Sequence, residues 1–285
     1  MVFTVDSFSA AMDVDFRPLT ARDAGDAAAL STAVGWGMRR TDWERFVSLP
    51  AVRTVGGWRD GELVATATAV CYDAAVAWIG SIVVAAPYRR RGLGTRVFER
   101  AFDDVRDRVD VVGLDANDTG KPIYADAGFD DVLTATVYTG TPSADLDASG
   151  VEPLTDAARI AGYDATRVSV DREFLLASLL DDPDTRGVVT TDDTGYAIAT
   201  PTRTGWAVGP LLADDRQTTH RLLAAVRDAL DGDSFTINAL GSAPAAAFAA
   251  AGLTDTRTLT RMTYPTPEPA LTGRGVYANA GFALG

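Results

Sequence analysis

The densest chemical signal in this sequence is Trp78-Ile-Gly-Ser-Ile-Val-Val-Ala-Ala-Pro-Tyr-Arg-Arg-Arg-Gly-Leu-Gly-Thr95, where an apolar run gives way to three arginines and two glycines. The apolar run predicts a buried strand ending at Pro87, and a helix starts between Gly92 and Thr95. Gly92 and Gly94 have no Cβ, so their backbone N–H groups can approach an anion closely, and the helix N-terminus adds a positive dipole end. Such a loop suits a pyrophosphate. A dinucleotide fingerprint would need a third glycine where Val97 stands, and a P-loop would need Gly-Lys-Ser/Thr, which is absent, so neither NAD nor ATP fits.

Other reactive side chains carry less. His220, the only histidine, sits in a helical run without a serine or cysteine partner, which suits a surface or capping role. Cys71, the only cysteine, ends an apolar strand with no activating neighbour and excludes both an intrachain disulfide and a cysteine-rich zinc cluster. The pairs Asp103-Asp104, Asp181-Asp182 and Asp214-Asp215 read as solvated surface in so aspartate-rich a chain, and no metal is expected.

A glycine loop of this kind needs a strand before it and a helix behind it, and the flanking sequence supplies a frame. The first half predicts a strand at 14–18, helices at 19–36 (N-capped by Thr20) and 42–49, and a hairpin of strands 54–58 and 62–72 around Asp60-Gly61. A strand at 76–85, a helix at 95–108, a strand at 111–114, a helix at 121–127 and a strand at 132–138 follow. That order predicts an α/β chain with a mixed sheet and helices on both faces. Residues 140–153, rich in Gly, Pro, Ser and Asp, read as a break. Beyond it, strands at 187–191, 196–200 and 206–212, a helix at 216–230, a strand at 235–239, a helix at 243–251 and a strand at 257–263 repeat the theme. A duplicated fold is expected, with units 1–140 and 154–285 joined by a linker at 141–153.

Arg89-Arg-Arg-Gly92-Leu-Gly94 resembles the Arg/Gln-x-x-Gly-x-Gly/Ala motif of the GNAT acetyltransferases. Leu114-Asp115-Ala116-Asn117 and Ile123-Tyr124-Ala-Asp-Ala-Gly128-Phe129 resemble that family's next strand and its Tyr-x-x-x-Gly-Phe helix, at matching spacing. Trp36, Asp42-Trp43, the Asp-Gly hairpin and Gly209-Pro210-Leu-Leu-Ala-Asp214 resemble a subgroup with a C-terminal acetyltransferase-like domain. The resemblance covers nearly the whole chain, most specifically residues 54–139. It implies tandem GNAT-like units, each a mixed, mostly antiparallel sheet with helices on both faces, the first catalytic and the second degenerate.

The resemblance also implies acetyl-CoA as donor. Its pantetheine arm would lie between the strands at 82–84 and 111–114, pairing with Ile82, Val83 and Val84, where a backbone N–H would polarise the thioester carbonyl. Arg89, Arg90, Arg91, Gly92, Leu93, Gly94 and Thr95 would hold the pyrophosphate, with Asn117 on the neighbouring strand end. Tyr124 matches the family's usual proton donor to the departing thiolate; the plain alternative is that it packs beside Phe129 under the sheet. Asp115, Asp73 and Glu62 are candidates for the base, a water relay is equally open, and none is assigned. The second half's turn at 212–218 has no glycine and carries Asp214 and Asp215, so one donor site per chain is expected. Tyr277-Ala-Asn-Ala-Gly281-Phe282 echoes the Tyr124 segment but follows the last strand, and reads as a docking tail.

The implied function is transfer of an acetyl group to a primary amine by direct attack. The alternatives are a non-catalytic acyl-CoA sensor or assembly module and a transferase of longer acyl groups. The second unit is expected to shape the acceptor pocket, and a chain ending near Asp147 to keep donor binding.

Composition narrows the partners. At 285 residues there is room for two cores, and 26 basic against 39 acidic residues give a net charge of −13, which disfavours nucleic acid and membrane surfaces. Only Lys121 is lysine and only six acids are glutamate, leaving 33 aspartates, a pattern that resembles the proteins of salt-accumulating haloarchaea. Molar salt shortens the Debye length to about 3 Å and screens the resulting repulsion. No stretch reaches the roughly 18 apolar residues of a membrane helix. Asp6 and the lack of a basic start argue against a signal peptide, so a cytoplasmic protein is expected, with a small-molecule or peptide amine as partner and a homodimer left open.

Overall fold

The computed structural model describes residues 13–285, so the leader reading at 1–12 lies outside the described residues. Two repeats of one order follow each other. The first comprises β1 (Asp15–Arg17), α1 (Ala24–Ala33), α2 (Arg40–Ser48), β2 (Val52–Arg59), β3 (Glu62–Tyr72), β4 (Val76–Val84), α3 (Leu93–Val105), β5 (Val111–Ala116), α4 (Lys121–Asp126) and β6 (Asp130–Gly140). The second comprises β7 (Val151–Leu154), α5 (Ala158–Val168), α6 (Glu173–Leu180), β8 (Arg186–Thr190), β9 (Gly195–Thr202), β10 (Gly205–Ala213), α7 (Arg216–Ala229), β11 (Phe235–Leu240), α8 (Ser242–Ala250) and β12 (Thr254–Tyr264); a short β13 (Val276–Ala278) is added at the end. The mixed α/β architecture expected from the sequence is what forms.

Local signals explain most of these elements. Asp60 and Gly61 both take positive φ, 51° and 82°, which matches the right-handed twist of the β2–β3 hairpin. Along α3, Leu93, Val97, Phe98, Ala101, Phe102 and Val105 form one buried stripe at helical spacing. Thr20 caps the helical stretch as expected, but the first turn, Ala21–Asp23, is a 3-10 turn that leads into α1: the Asp23 carboxylate accepts from the Thr20 N–H at 2.8 Å. Hydrogen bonding from Arg17 also holds that carboxyl down to about 2.

The segment 154–186, which carried no expected element, holds α5 and α6. In α5 the buried stripe Ile160, Asp164, Val168 has a carboxylate at its centre, which masks the apolar period. Asp164 is tolerated there because Arg172 meets it with two 2.8 Å contacts, both side chains being 1% exposed. Burying either charge alone would be expensive. The linker expected at 141–153 is also shorter than supposed, since Val151–Leu154 pairs with β8 as a strand.

Among the described residues, all strands join one 13-stranded sheet in the order β1-β2-β3-β4-β5-β12-β6-β11-β13-β10-β9-β8-β7. The two repeats have exchanged their last strands. β12 lies between β5 and β6, antiparallel to both, and β6 pairs on its other edge with β11. The break expected at 141–153 does not close the first half's sheet, which is completed by residues 254–264. One apolar cluster also crosses the halves, joining Trp43, Tyr72 and Trp78 to Leu175, Leu179 and Tyr196, while α3 covers the first half and α7 with α8 the second.

Candidate active site

β4 and β5 pair in parallel only where Val76, Ala77 and Trp78 face Val111, Val112 and Gly113. Beyond that point they diverge, leaving the β5-facing edge of residues 79–84 without a strand partner. A register shift against β3 at the same place, with Ser81 at φ 51° and its carbonyl accepting from Thr66 Oγ1 at 2.9 Å, bends β4 away. Ile82, Val83 and Val84 lie on this edge. Val83 turns its side chain into the core, so only its backbone can serve a ligand.

The glycine loop follows directly. Arg89 anchors it by donating from Nε to the Val84 carbonyl at 2.9 Å. Arg90 takes a left-handed φ of 58° and Gly92 one of 74° as the chain turns into α3. A Cβ at Gly92 would meet nothing within 4 Å, so the space above this helix start is open. Arg89, Arg90, Arg91 and Gly92 are exposed, Gly94 and Thr95 half-buried, and Leu93 buried in the α3 core, where only its N–H remains available.

Tyr124 enters from α4. Asn117, at the exit of β5, accepts from the Gly120 N–H through Oδ1 at 2.8 Å and so sets the start of that helix. Gly120 leaves room for the phenol: a Cβ there would come within 2.9 Å of the Tyr124 ring. The ring packs edge-on against Phe98 at 4.9 Å, is 8% exposed, and also lines the large cavity described next. Tyr124 therefore packs beside Phe98 and Phe129, as the plain alternative had it, while part of its ring borders the cavity. Burial pushes its hydroxyl up to about 12, so it is protonated throughout the neutral range.

That cavity, of about 610 Å³, runs from Ile79, Ser81, Leu114 and Tyr124 of the first half to Thr202, Trp206 and Asn238 of the second. Its carboxylates are paired. Asp115 is fully buried and meets Arg261 of the exchanged β12 through two 2.9 Å contacts, with Asn279 Nδ2 at 3.3 Å. Asp42 meets Arg45 at 3.2 Å and Arg39 at 3.6 Å. Of the three base candidates, Asp115 is locked in its ion pair, while Glu62 and Asp73 lie exposed at the two ends of β3 and do not line the cavity. Cys71 is half-buried with its thiol pushed up by burial, and His220 sits on α7 with its ring nitrogen 3.0 Å from the Ala247 carbonyl.

The second half has the same splay, filled. β10 and β11 pair in parallel where Trp206, Ala207 and Val208 face Phe235, Thr236 and Ile237, and then part. β13 enters the gap, with Ala278 opposite both Leu211 and Ala239. At the head of α7 the Asp215 carboxylate takes the Thr218 N–H at 2.7 Å, and Asp214 is held by Arg167 and Tyr163. The chain itself thus occupies both places a donor would use. The tail then crosses to the first half: Trp78 Nε1 donates to the Phe282 carbonyl at 3.1 Å and Tyr72 donates to that of Leu284. Gly80 is required there, since a Cβ would lie 2.5 Å from Ala283 Cα. None of β13, Arg261 or Asn279 is marked as functional by its sequence context; only the echo of the Tyr124 segment drew attention to 277–282.

Comparison with known proteins agrees with this geometry. Residues 29–129 match the acetyltransferase (GNAT) family model and residues 160–278 an acetyltransferase (GNAT) domain model. No curated protein sequence matches the chain. Among solved structures, a Pyrococcus horikoshii protein assigned to the acetyltransferases superposes with TM-score 0.83 at 19% identity, covering 100% of this chain and 99% of that one. A GCN5-related N-acetyltransferase of Sphaerobacter thermophilus gives TM-score 0.62 at 16% identity over 91% and 97% of the two chains. A tandem GNAT protein from the clavulanic acid biosynthesis pathway gives 0.58 at 15% over 90% and 100%. At these identities the structures speak for the fold, while the two family models together take in well over half of the sequence. This chain belongs to the GNAT acetyltransferases, with two such domains in tandem.

Proposed function

We propose that the chain is an acetyl-CoA-dependent N-acetyltransferase with one donor site, in the first half, and an acceptor site in the cavity between the halves. The observation that carries this reading is the asymmetry of the two splays. One is filled by β13 and headed by aspartates, the other has a bare strand edge and an open glycine turn. The residues present fit the donor: backbone donors and arginines for a pyrophosphate, an unpaired strand edge for an extended amide-bearing arm.

Bound there, acetyl-CoA supplies an activated thioester. Gly92 and the first N–H groups of α3 hold its phosphates. The open edge of β4 orients the arm and offers an N–H to the thioester carbonyl, stabilising the charge that develops on oxygen during attack. Tyr124 donates a hydrogen bond, and then its proton, to the departing sulfur. With Asp42 and Asp115 both paired, the amine's proton leaves through water.

Two outcomes test this. Calorimetric titration should give one acetyl-CoA per chain, and Gly92→Val should weaken it at least about 10-fold, because a β-branched residue is strained by roughly 1–2 kcal/mol at that φ and fills the open space. Two acetyl-CoA per chain, or unchanged affinity in a folded variant, would be fatal to the site assignment. Tyr124→Phe should lower kcat by roughly 10- to 1,000-fold with donor affinity kept. Because the phenol ionises only near pH 12, the pH–rate profiles of parent and variant should share their shape between pH 6 and 10. Full activity in the variant would return Tyr124 to packing alone, and an alkaline limb that vanishes in it would show that the phenol ionises well below pH 12.

A further inference from the structure

We infer that the acceptor is an amine that also carries a carboxylate or phosphate, and that Arg257 receives this anion. The inference rests on the acceptor cavity proposed above and names what that cavity selects.

Arg257, Leu259 and Arg261 alternate along β12 and so share one face of the sheet. Arg261 spends its charge on Asp115, whereas Arg257 and Leu259 line the cavity. The Arg257 guanidinium lies 5.5 Å from the centroid of the Phe282 ring, and the Phe282 carbonyl is in turn held by Trp78. That stacking orients the planar fork without using its donors. No carboxylate among the described residues lies within 4.0 Å of Arg257.

Charge balance on the cavity wall gives the direction. Asp115 is matched by Arg261; Asp42 and Asp182 are matched by Arg39 and Arg45. Arg257, an exposed residue on this wall, remains as a positive charge without a carboxylate partner, in a chain whose net charge is −13. The rest of the polar lining, such as Ser81, Thr202 and Asn238, is neutral. A cationic acceptor would meet no free carboxylate on this wall. An acceptor with an anionic end would complete the charge, through an arginine fork suited to carboxylate or phosphate, and would leave its amine to reach the thioester.

The test is steady-state transfer from acetyl-CoA by the full chain at one fixed ionic strength. The probes are α- and ω-amino acids, aminoalkyl phosphates, and the neutral amide or alcohol matching each. Anionic amines should exceed their neutral counterparts in kcat/KM by about 10- to 100-fold, the worth of a charge-assisted hydrogen bond; whichever of the two series is faster identifies the anion. Arg257→Gln should bring the anionic probes down to the neutral level without moving the neutral ones, Arg257→Lys should keep part of the preference, and both should retain parental acetyl-CoA affinity. Preference for neutral or polycationic amines, acceptance of no anionic amine, or an equal loss on both series in Arg257→Gln overturns the inference while the donor site stands. Failure to bind acetyl-CoA at all removes the acetyltransferase reading and this inference with it.

Discussion

A chain ended at Asp147 should fail to fold as a unit and should bind no acetyl-CoA. Without β12, the edge of β5 from Val112 to Ala116 is bare and β6 loses both of its neighbours. Asp115 keeps its buried place but loses Arg261, and the tail no longer covers Trp78 and Gly80. An exposed strand edge beside an unpaired buried charge favours aggregation. The expected product is insoluble, or soluble without a cooperative melt. Producing residues 1–147 and 148–285 together should restore acetyl-CoA binding, because the exchanged strands need no covalent link. A monomeric 1–147 fragment that melts cooperatively and binds acetyl-CoA like the parent would show that strand exchange is not needed for the donor site.

Arg261→Met should cost about 3–5 kcal/mol of stability, since it leaves the Asp115 carboxylate buried with a single 3.3 Å contact to Asn279. Arg261 also lies 4.2 Å from the Trp78 ring and donates to the Ala270 carbonyl at 3.2 Å, so its loss loosens the crossing point of β4, β5 and the tail. The double variant Asp115→Leu/Arg261→Met should regain much of the loss, because apolar pairs of similar volume often replace buried ion pairs at little cost. Urea unfolding of the three proteins decides: a single variant within about 1 kcal/mol of the parent, or a double variant no better than the single, would mean the pair is a passive contact.

How much of this was legible in the sequence depends on the range of the interaction concerned. The β2–β3 hairpin, the α3 stripe and the glycine loop are specified within a few residues of chain, by Asp60-Gly61, by the spacing from Leu93 to Val105, and by Gly92. The duplication showed in the order of elements, although α5 and α6 were missed because a buried Asp164 and the near-uniformly apolar Glu173–Leu180 erase the helical period. Apart from Asn117 at the exit of β5, the positions named for the donor fall along one strand edge, one turn and one helix start, because each is set by its own neighbours in sequence. Asp115 shows the limit: its sequence context marks a polar residue at a strand end, and nothing local says that its partner stands 146 residues away. Strand exchange, the filling of the second splay by β13, and the free charge of Arg257 on the cavity wall are all outcomes of pairing between distant segments. The sequence by itself therefore determined the local elements and the glycine turn, whose energetics are short-range. Tertiary structure alone decided which splay stays open and which charges remain uncompensated, because pairing and burial depend on what the rest of the chain brings alongside.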